Sequence, residues 1–299
     1  VLFRSIRNKY GSVKDFLNLT PGGSDDTEYA LLTASALLKY GKGITADQFA
    51  QYWVDKVCSQ TGAFAGAGFS EMNAIQNLRD GLRPPHSGQH NHSWSDGLAM
   101  RVAPIGVVAH GDIELAKRLT IADGAVSHAG EGIHSGVVIA VAIAVAMNGA
   151  NNIEAFETSL RSIQQDSWTY RLMAAAQGIV EKNRTKQVHE IADLLLERIA
   201  ITEYFYADIA PEAVALAMAA VLYGDGEYAK TLLFAVNLGR HADTIAAMAG
   251  AVAGAISGYE SIPDTWKQAV TTVGGTCLEF AKGLNPYAMA SELLEVAAR

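Results

Sequence analysis

Apolar positions recur at helical spacing along most of the chain. Within 46–58, Phe49, Trp53, Val54 and Val57 follow the period of about 3.6 residues that turns one face of a helix toward a core. Residues 27–40 form an Ala- and Leu-rich run that stops at Gly41. The pattern predicts a helix pair over 97–109 and 113–122, joined at Gly111-Asp112. Further helices are expected over 153–163, 168–181, 188–199, 211–222, 227–236, 244–257 and 287–298. Pro211 suits a first turn, where its missing N–H leaves nothing unpaired. Residues 137–147 alternate Val or Ile with Ala, a period that also suits a strand. Their length, their uniform apolarity and the lack of partner strands favour a central helix buried on all sides. The expectation is an all-α protein, a single compact multi-helix domain over 1–299. The one long polar loop, 81–94, holds Pro84-Pro85 and three histidines, and long loops inside compact domains are often functional.

Composition narrows the class. Of 299 residues, 18% are charged and 49% hydrophobic, and the formal net charge is −8, which leaves little for a broad nucleic-acid-binding face. The longest apolar run, 137–147, is shorter than the about 20 residues that cross a bilayer, so no membrane partner is expected. Cys58 and Cys277 give no disulfide framework and fit a reducing, cytoplasmic compartment. High Gly (28) with low Pro (7) suits tightly packed helices.

Two acidic helix starts stand out. The first is Gly22-Gly23-Ser24-Asp25-Asp26-Thr27-Glu28. The second is Asn237-Leu238-Gly239-Arg240-His241-Ala242-Asp243-Thr244, which opens a helix carrying Gly250, Gly254 and Gly258 on one face. Ser or Asp at such positions caps free N–H groups, and carboxylates suit the positive end of a helix. The same hydroxyls and carboxylates are also the oxygen ligands that hard cations prefer. If folding brings the two starts together, these groups converge on one or two metal ions.

Four motifs in order over roughly 20–260 resemble the ADP-ribosylglycohydrolase family. Ser24-Asp25-Asp26-Thr27 is similar to the family's Thr-Asp-Asp-Thr signature. Arg240-His241-Ala242-Asp243-Thr244 with the helix after it is similar to Gly-Asp-x-Asp-Thr. Ser93-Trp94-Ser95-Asp96-Gly97-Leu98-Ala99-Met100-Arg101-Val102-Ala103-Pro104 resembles Asn-Gly-x-x-Met-Arg-x-x-Pro, and Ser127-His128 followed by Gly136 resembles the family's Ser-His segment. The resemblance implies an orthogonal bundle of the ADP-ribosylglycohydrolase type with a dinuclear Mg²⁺ (or Mn²⁺) centre. It implies cleavage of the glycosidic bond between ADP-ribose and an acceptor, on an ADP-ribosylated protein or a small ADP-ribose derivative.

By the match, Ser24, Asp25, Asp26, His241, Asp243 and Thr244 are expected at the metal, with Asp25, Asp26 and Asp243 carrying catalysis. Ser93, Trp94, Asp96 and Gly97 are expected along the diphosphate and ribose, and His128 is expected to face the ADP-ribose. Two departures accompany the match. His241 stands where the family usually has Asp, so an altered second metal site is expected. Nothing before Gly22 matches the family's Gly-Asp-Ala-Leu-Gly-like motif, and the chain opens without Met, so an N-terminal segment beyond Val1 is expected. Rival readings are a nucleosidase-like hydrolase on the same scaffold and a non-catalytic ADP-ribose-binding protein.

The remaining features are read more plainly. His86, His90 and His92 are expected on a substrate-side loop rather than at a metal. Glu131 is expected as a solvated first-turn acid, Asp166-Ser167 as a helix cap, and residues 203–208 as core or a pocket rim.

Overall fold

The computed structural model describes residues 12–16 and 22–299, with the side chain of Val270 outside the description. Most of the segment before Gly22, with the expectation attached to it, lies outside the described residues. Fifteen α-helices make up the described architecture, joined by short 3₁₀ and π turns. They are α1 (Asp25–Tyr40), α2 (Ala46–Trp53), α3 (Phe69–Arg79), α4 (Gly97–Arg101), α5 (Ala103–Ala109), α6 (Ile113–Gly124), α7 (Glu131–Met147) and α8 (Asn152–Arg161). Then come α9 (Trp168–Lys182), α10 (Val188–Arg198), α11 (Ala210–Gly224), α12 (Tyr228–Leu238), α13 (Ala242–Ser257), α14 (Asp264–Lys267) and α15 (Pro286–Ala298). The only bridge among the described residues joins Ser95 to Ile209.

The alternating Val/Ile-Ala run fills α7 from its second turn to its end, and every residue from Ser135 to Ala144 is buried. Helices α4, α5, α6, α8, α11 and α13 surround it. Helix α11 is equally central: it packs on α7, α9, α12 and α13, and its residues from Ala210 to Leu222 are buried. With neighbours on all sides, neither helix needs a polar face.

The expected continuous helix over 97–109 is broken. Val102 separates α4 from α5, because Pro104 enters the first turn of α5 without an N–H to continue the ladder. The glycine packing also differs from expectation. A Cβ on Gly250 or Gly254 would meet only side chains of α12, at 3.1 Å (Leu232) and 3.7 Å (Tyr228), and Gly258 is a cap with φ +79°. The tight approaches are made by Gly106, whose Cβ would lie 2.6 Å from Ile143, and by Gly124 and Gly136, whose Cβ atoms would lie 2.6 and 2.7 Å from Leu98. Gly106 and Gly136 bring α5 and α4 against α7, and Gly124 brings α6 against α4, which fixes the segment that follows Asp96.

Glu131 is a cap for another helix. Its carboxylate accepts from the Trp168 and Thr169 N–H groups, at 2.7 and 3.0 Å, at the start of α9. Ser167 completes that start by accepting from Tyr170 N–H. Burial alone would raise the Glu131 pKa, but His134, 3.7 Å away, and hydrogen bonds from Thr169 and Trp168 hold it down at about 2. The folded pKa is depressed, so this stabilisation is present above the ordinary glutamate value and is lost as pH falls through about 2. Glu131→Gln should therefore lose on the order of 1 kcal/mol at neutral pH after solvent screening. Thermal melts should show the difference from wild type shrinking as pH falls from 5 to about 2; a difference independent of pH would contradict the assignment.

Candidate active site

The two acidic helix starts meet. Neither Ser24 nor His241 caps its helix with a side-chain hydrogen bond. Ser24 Oγ instead donates to Asp26 Oδ2 at 2.8 Å. Asp26 Oδ1 is buried with no hydrogen-bond partner among the described residues. Burial raises the Asp26 pKa, the Asp243 charge adds to the rise, and the Ser24 and Thr244 hydroxyls and His241 oppose it. Asp25 is pushed up to about 7 by burial and by the charges of Asp26, Asp243 and Glu71. Two groups far apart in sequence thus share one electrostatic environment crowded with carboxylates.

A cavity of about 310 Å³ opens beside them. Its wall includes Asp25, Glu71, Asp96, Asp208 and His241 and, among the described residues, no Lys or Arg. Gly97 and Ser95 also line it, and Phe69 and Tyr206 supply apolar surface. The Ser95–Ile209 bridge ties this wall to the loop before α11, through Asp96 N–H donating to Asp208 O at 3.0 Å and Ala210 N–H donating to Trp94 O at 3.2 Å. Arg240, at φ +58°, anchors the same loop to the second motif: it pairs with the fully buried Glu212, which also accepts from Ile201 N–H.

His241 is committed to Asp96. Its Nδ1 lies 2.7 Å from Asp96 Oδ2, and its Nε2 lies 3.5 Å from Thr244 Oγ1 and 3.9 Å from Asp243 Oδ1. Burial works to lower its pKa, but the Asp96, Asp243 and Asp26 carboxylates raise it to about 10. At that pKa the ring is an imidazolium at neutral pH, a cation held among carboxylates by its bond to Asp96. Among the described residues, no three His, Cys, Asp or Glu side chains converge on a common point at coordination distance.

The other expected residues divide into two groups. Asp25, Asp96 and Gly97 are on the cavity wall, and Asp26 and Thr244 are buried at the meeting of the helix starts. Asp243 is at the edge, its side chain 68% exposed. Ser93 and Trp94 do not line the cavity, and both carbonyls are used in backbone hydrogen bonds. His128 is behind the wall, 1% exposed. Its Nδ1 meets Ser127 Oγ at 2.8 Å and its Nε2 meets Ser95 Oγ at 3.2 Å, which leaves neither ring nitrogen for a ligand. Burial lowers its pKa well below the ordinary histidine value, so it is neutral and holds Ser95 in place.

The three loop histidines separate. His86 meets Gln89, His90 meets the Ser127 carbonyl, and His92 pairs with Asp208 at 2.7 Å. His92, Trp94, Tyr204, Tyr206 and Phe69 form a chain of ring contacts on the rim, with Phe205 92% exposed beside them.

Glu71 has no counterpart in the sequence reading, which also lacks its helix. Helix α3 buries Ser70, Glu71, Ala74, Ile75 and Leu78, so polar residues occupy part of its inner face and blur the apolar period. Ser70 Oγ donates to the His92 carbonyl and lies 2.6 Å from Ser95 Oγ, which places Glu71 against the cavity.

The chain has clear relatives. Residues 3–297 match the ADP-ribosylglycohydrolase family. An uncharacterized protein of Archaeoglobus fulgidus is 30% identical over 274 residues, a match covering 88% of this chain and 82% of that protein. Human ADP-ribosylhydrolase ARH3 is 25% identical over 269 residues, 82% of this chain and 73% of the human one. Mouse ARH3 matches over 59% of this chain and about half, 52%, of its own length. A solved structure described as an ADP-ribosylglycohydrolase-related protein complex superposes with a TM-score of 0.61 at 22% identity, over 92% of this chain and 81% of that one, which shows the shared fold. The chain belongs to the ADP-ribosylglycohydrolase family, a family of glycosidic-bond hydrolases.

Proposed function

We propose that this protein is a divalent-metal-dependent hydrolase that cleaves the glycosidic bond between ADP-ribose and a protein side chain or small acceptor. The observation that carries the reading is the buried Asp26 Oδ1, without a hydrogen-bond partner among the described residues, where the two acidic helix starts meet. An uncompensated buried carboxylate is costly unless something positive fills the place beside it. Asp25, Asp26, Asp243 and Thr244 present oxygen donors of the kind that Mg²⁺ and Mn²⁺ prefer, with Ser24 hydrogen-bonded at the margin. When bound, the cation supplies Lewis acidity and lowers the pKa of a bound water. The donor set suits one ion.

The residues of the chain do the rest. Asp96 fixes the ring of His241, and with Gly97 and Ser95 it forms the wall along which ribose is expected to lie. Phe69 and Tyr206 at the mouth offer ring faces to a planar base. Ordered carboxylates facing the anomeric carbon stabilise the positive charge that develops there as the bond breaks.

The test is a substrate panel of ADP-ribosyl-arginine, ADP-ribosyl-serine, O-acetyl-ADP-ribose and simple nucleosides. Release of ADP-ribose from at least one of the first three is expected. Release of free ribose from nucleosides alone would assign a nucleosidase, and tight ADP-ribose binding without turnover would assign a binding protein.

A further inference from the structure

We infer that Glu71 is the general base of this site, a catalytic carboxylate supplied by α3 that takes the proton of the attacking water. The inference rests on the hydrolytic reading above, and it stands on four observations of geometry.

First, Glu71 lines the same cavity wall as Asp25 and Asp96. It is 1% exposed, so bulk water does not reach it except through that cavity. Second, two glycines make room for its carboxylate. A Cβ on Gly97 would lie 2.0 Å from Oε1, and one on Gly68 would lie 2.8 Å from Oε2; both glycines line the cavity. Any other residue at 97 would fill the space that the carboxylate occupies.

Third, Glu71 shares Arg101 with a nearer carboxylate. Arg101 meets Ser127 Oγ at 2.8 Å and the Asp123 carboxylate at 3.2 and 3.3 Å, while Glu71 Oε1 is 3.4 Å away. Asp123 is the nearer counter-ion and lies outside the cavity, so Glu71 is the acid of this network that faces the reaction space. Fourth, α3 is held by Ser70, which bonds both the His92 carbonyl and Ser95, so the carboxylate is fixed relative to the wall.

The groups facing Glu71 are Arg101 on α4, His128 at 3.8 Å after α6, Asp96 before α4, Asp208 before α11, and Asp25 and Tyr29 on α1. His128 is neutral. Burial drives the Glu71 carboxyl up, Arg101 opposes the rise, and Asp96 and Asp208 add to it, leaving it at about 7. A base so poised accepts a proton near neutral pH without being too weak to do so.

The step balances. The water oxygen forms a bond to the anomeric carbon as its proton passes to Glu71. The bond from that carbon to the acceptor breaks, and the acceptor leaves with the electron pair. The departing acceptor or solvent then takes the proton from Glu71, which restores the carboxylate.

The experiment measures kcat, KM and the pH profile of Glu71→Gln against wild type with saturating Mg²⁺ or Mn²⁺. The expected result is a kcat lower by roughly 10²–10⁴-fold with KM little changed, and loss of the rise in kcat with pH. Wild-type kcat with an unchanged profile would overturn the inference. Should Glu71→Gln fail to fold, Glu71→Asp keeps the charge near Arg101 and withdraws the carboxylate by one methylene. A folded Glu71→Asp with reduced kcat and retained KM supports the role, and unchanged kcat overturns it. A wild type inert toward every ADP-ribosyl linkage would overturn the hydrolytic reading and this inference with it, whereas an active wild type matched by Glu71→Gln overturns this inference alone.

Discussion

Asp26→Asn should abolish hydrolysis, with kcat down by at least about 10³-fold, and should also erase the thermal stabilisation that divalent cations confer. The asparagine keeps the shape of the side chain and the partner to Ser24 Oγ. What it removes is the negative charge, including that of the buried Oδ1, which no described residue hydrogen-bonds. Wild type should gain about 2.7 kcal/mol when the cation is present at 100 times its Kd, and the variant nothing. The variant should be at least as stable as wild type in chelator, because the cost of holding a charged carboxylate beside Asp243 is gone. Melting curves with and without Mg²⁺ or Mn²⁺, alongside turnover, check both parts. Retained activity together with a retained metal-linked shift would contradict the role given to Asp26.

Arg101→Met should be the most damaging single change to stability near the site. The guanidinium is fully buried over the Trp53 ring, at 5.1 Å, and it serves Asp123, Glu71, Ser127 and the Gly97 carbonyl together. Methionine fills much of the volume but leaves two buried carboxylates without a cation. Breaking a buried pair in this way costs about 3–5 kcal/mol, since the stranded charge is worse than no pair at all. For a chain of this length the melting temperature should fall on the order of 10 °C. Adding Asp123→Asn should recover part of the loss, because it removes the carboxylate nearest the lost cation; Thr33 Oγ1 still has an oxygen to donate to. A loss under about 1 kcal/mol, or no recovery in the double variant, would show that the network is not held by charge pairing.

What the sequence revealed and what it concealed follow from the physics of patterning. Helices α1, α2, α6 and α13 announce themselves by apolar spacing and by Gly or Asp boundaries, and α7 by an apolar run that only a surrounded helix can carry. Helix α3 stays hidden because Ser70 and Glu71 stand on its buried face, where a pattern reader looks for apolar residues. The break at Val102 is written in Pro104, whose missing N–H outweighs the helical period around it. Gly250 and Gly254 have the spacing of a close-packing stripe, yet Gly106, Gly124 and Gly136 approach neighbouring helices more closely. Which glycine faces a neighbouring helix is decided by the three-dimensional partner, and periodicity carries no record of that.

At the site, motif order sufficed to bring together Asp25, Asp26, Asp96, Gly97 and Thr244. Motif membership did not separate residues that face the cavity from residues that support it. His128 belongs to the second kind, bonded on both nitrogens between Ser95 and Ser127. Glu28 has the same character: it lies fully buried and accepts from the N–H groups of Thr276, Cys277 and Leu278, tying the C-terminal region to α1. A buried polar side chain is informative only once its partners are known, and those of Glu28 lie more than two hundred residues away.

The most direct measurement is the identity and metal dependence of the product formed by the wild-type protein. With Mg²⁺ or Mn²⁺ and the ADP-ribosyl panel, the account predicts free ADP-ribose as the product, detected by mass spectrometry, and loss of its formation in chelator with recovery on adding the cation back. Turnover that proceeds unchanged in chelator, or free ribose in place of ADP-ribose, would contradict it.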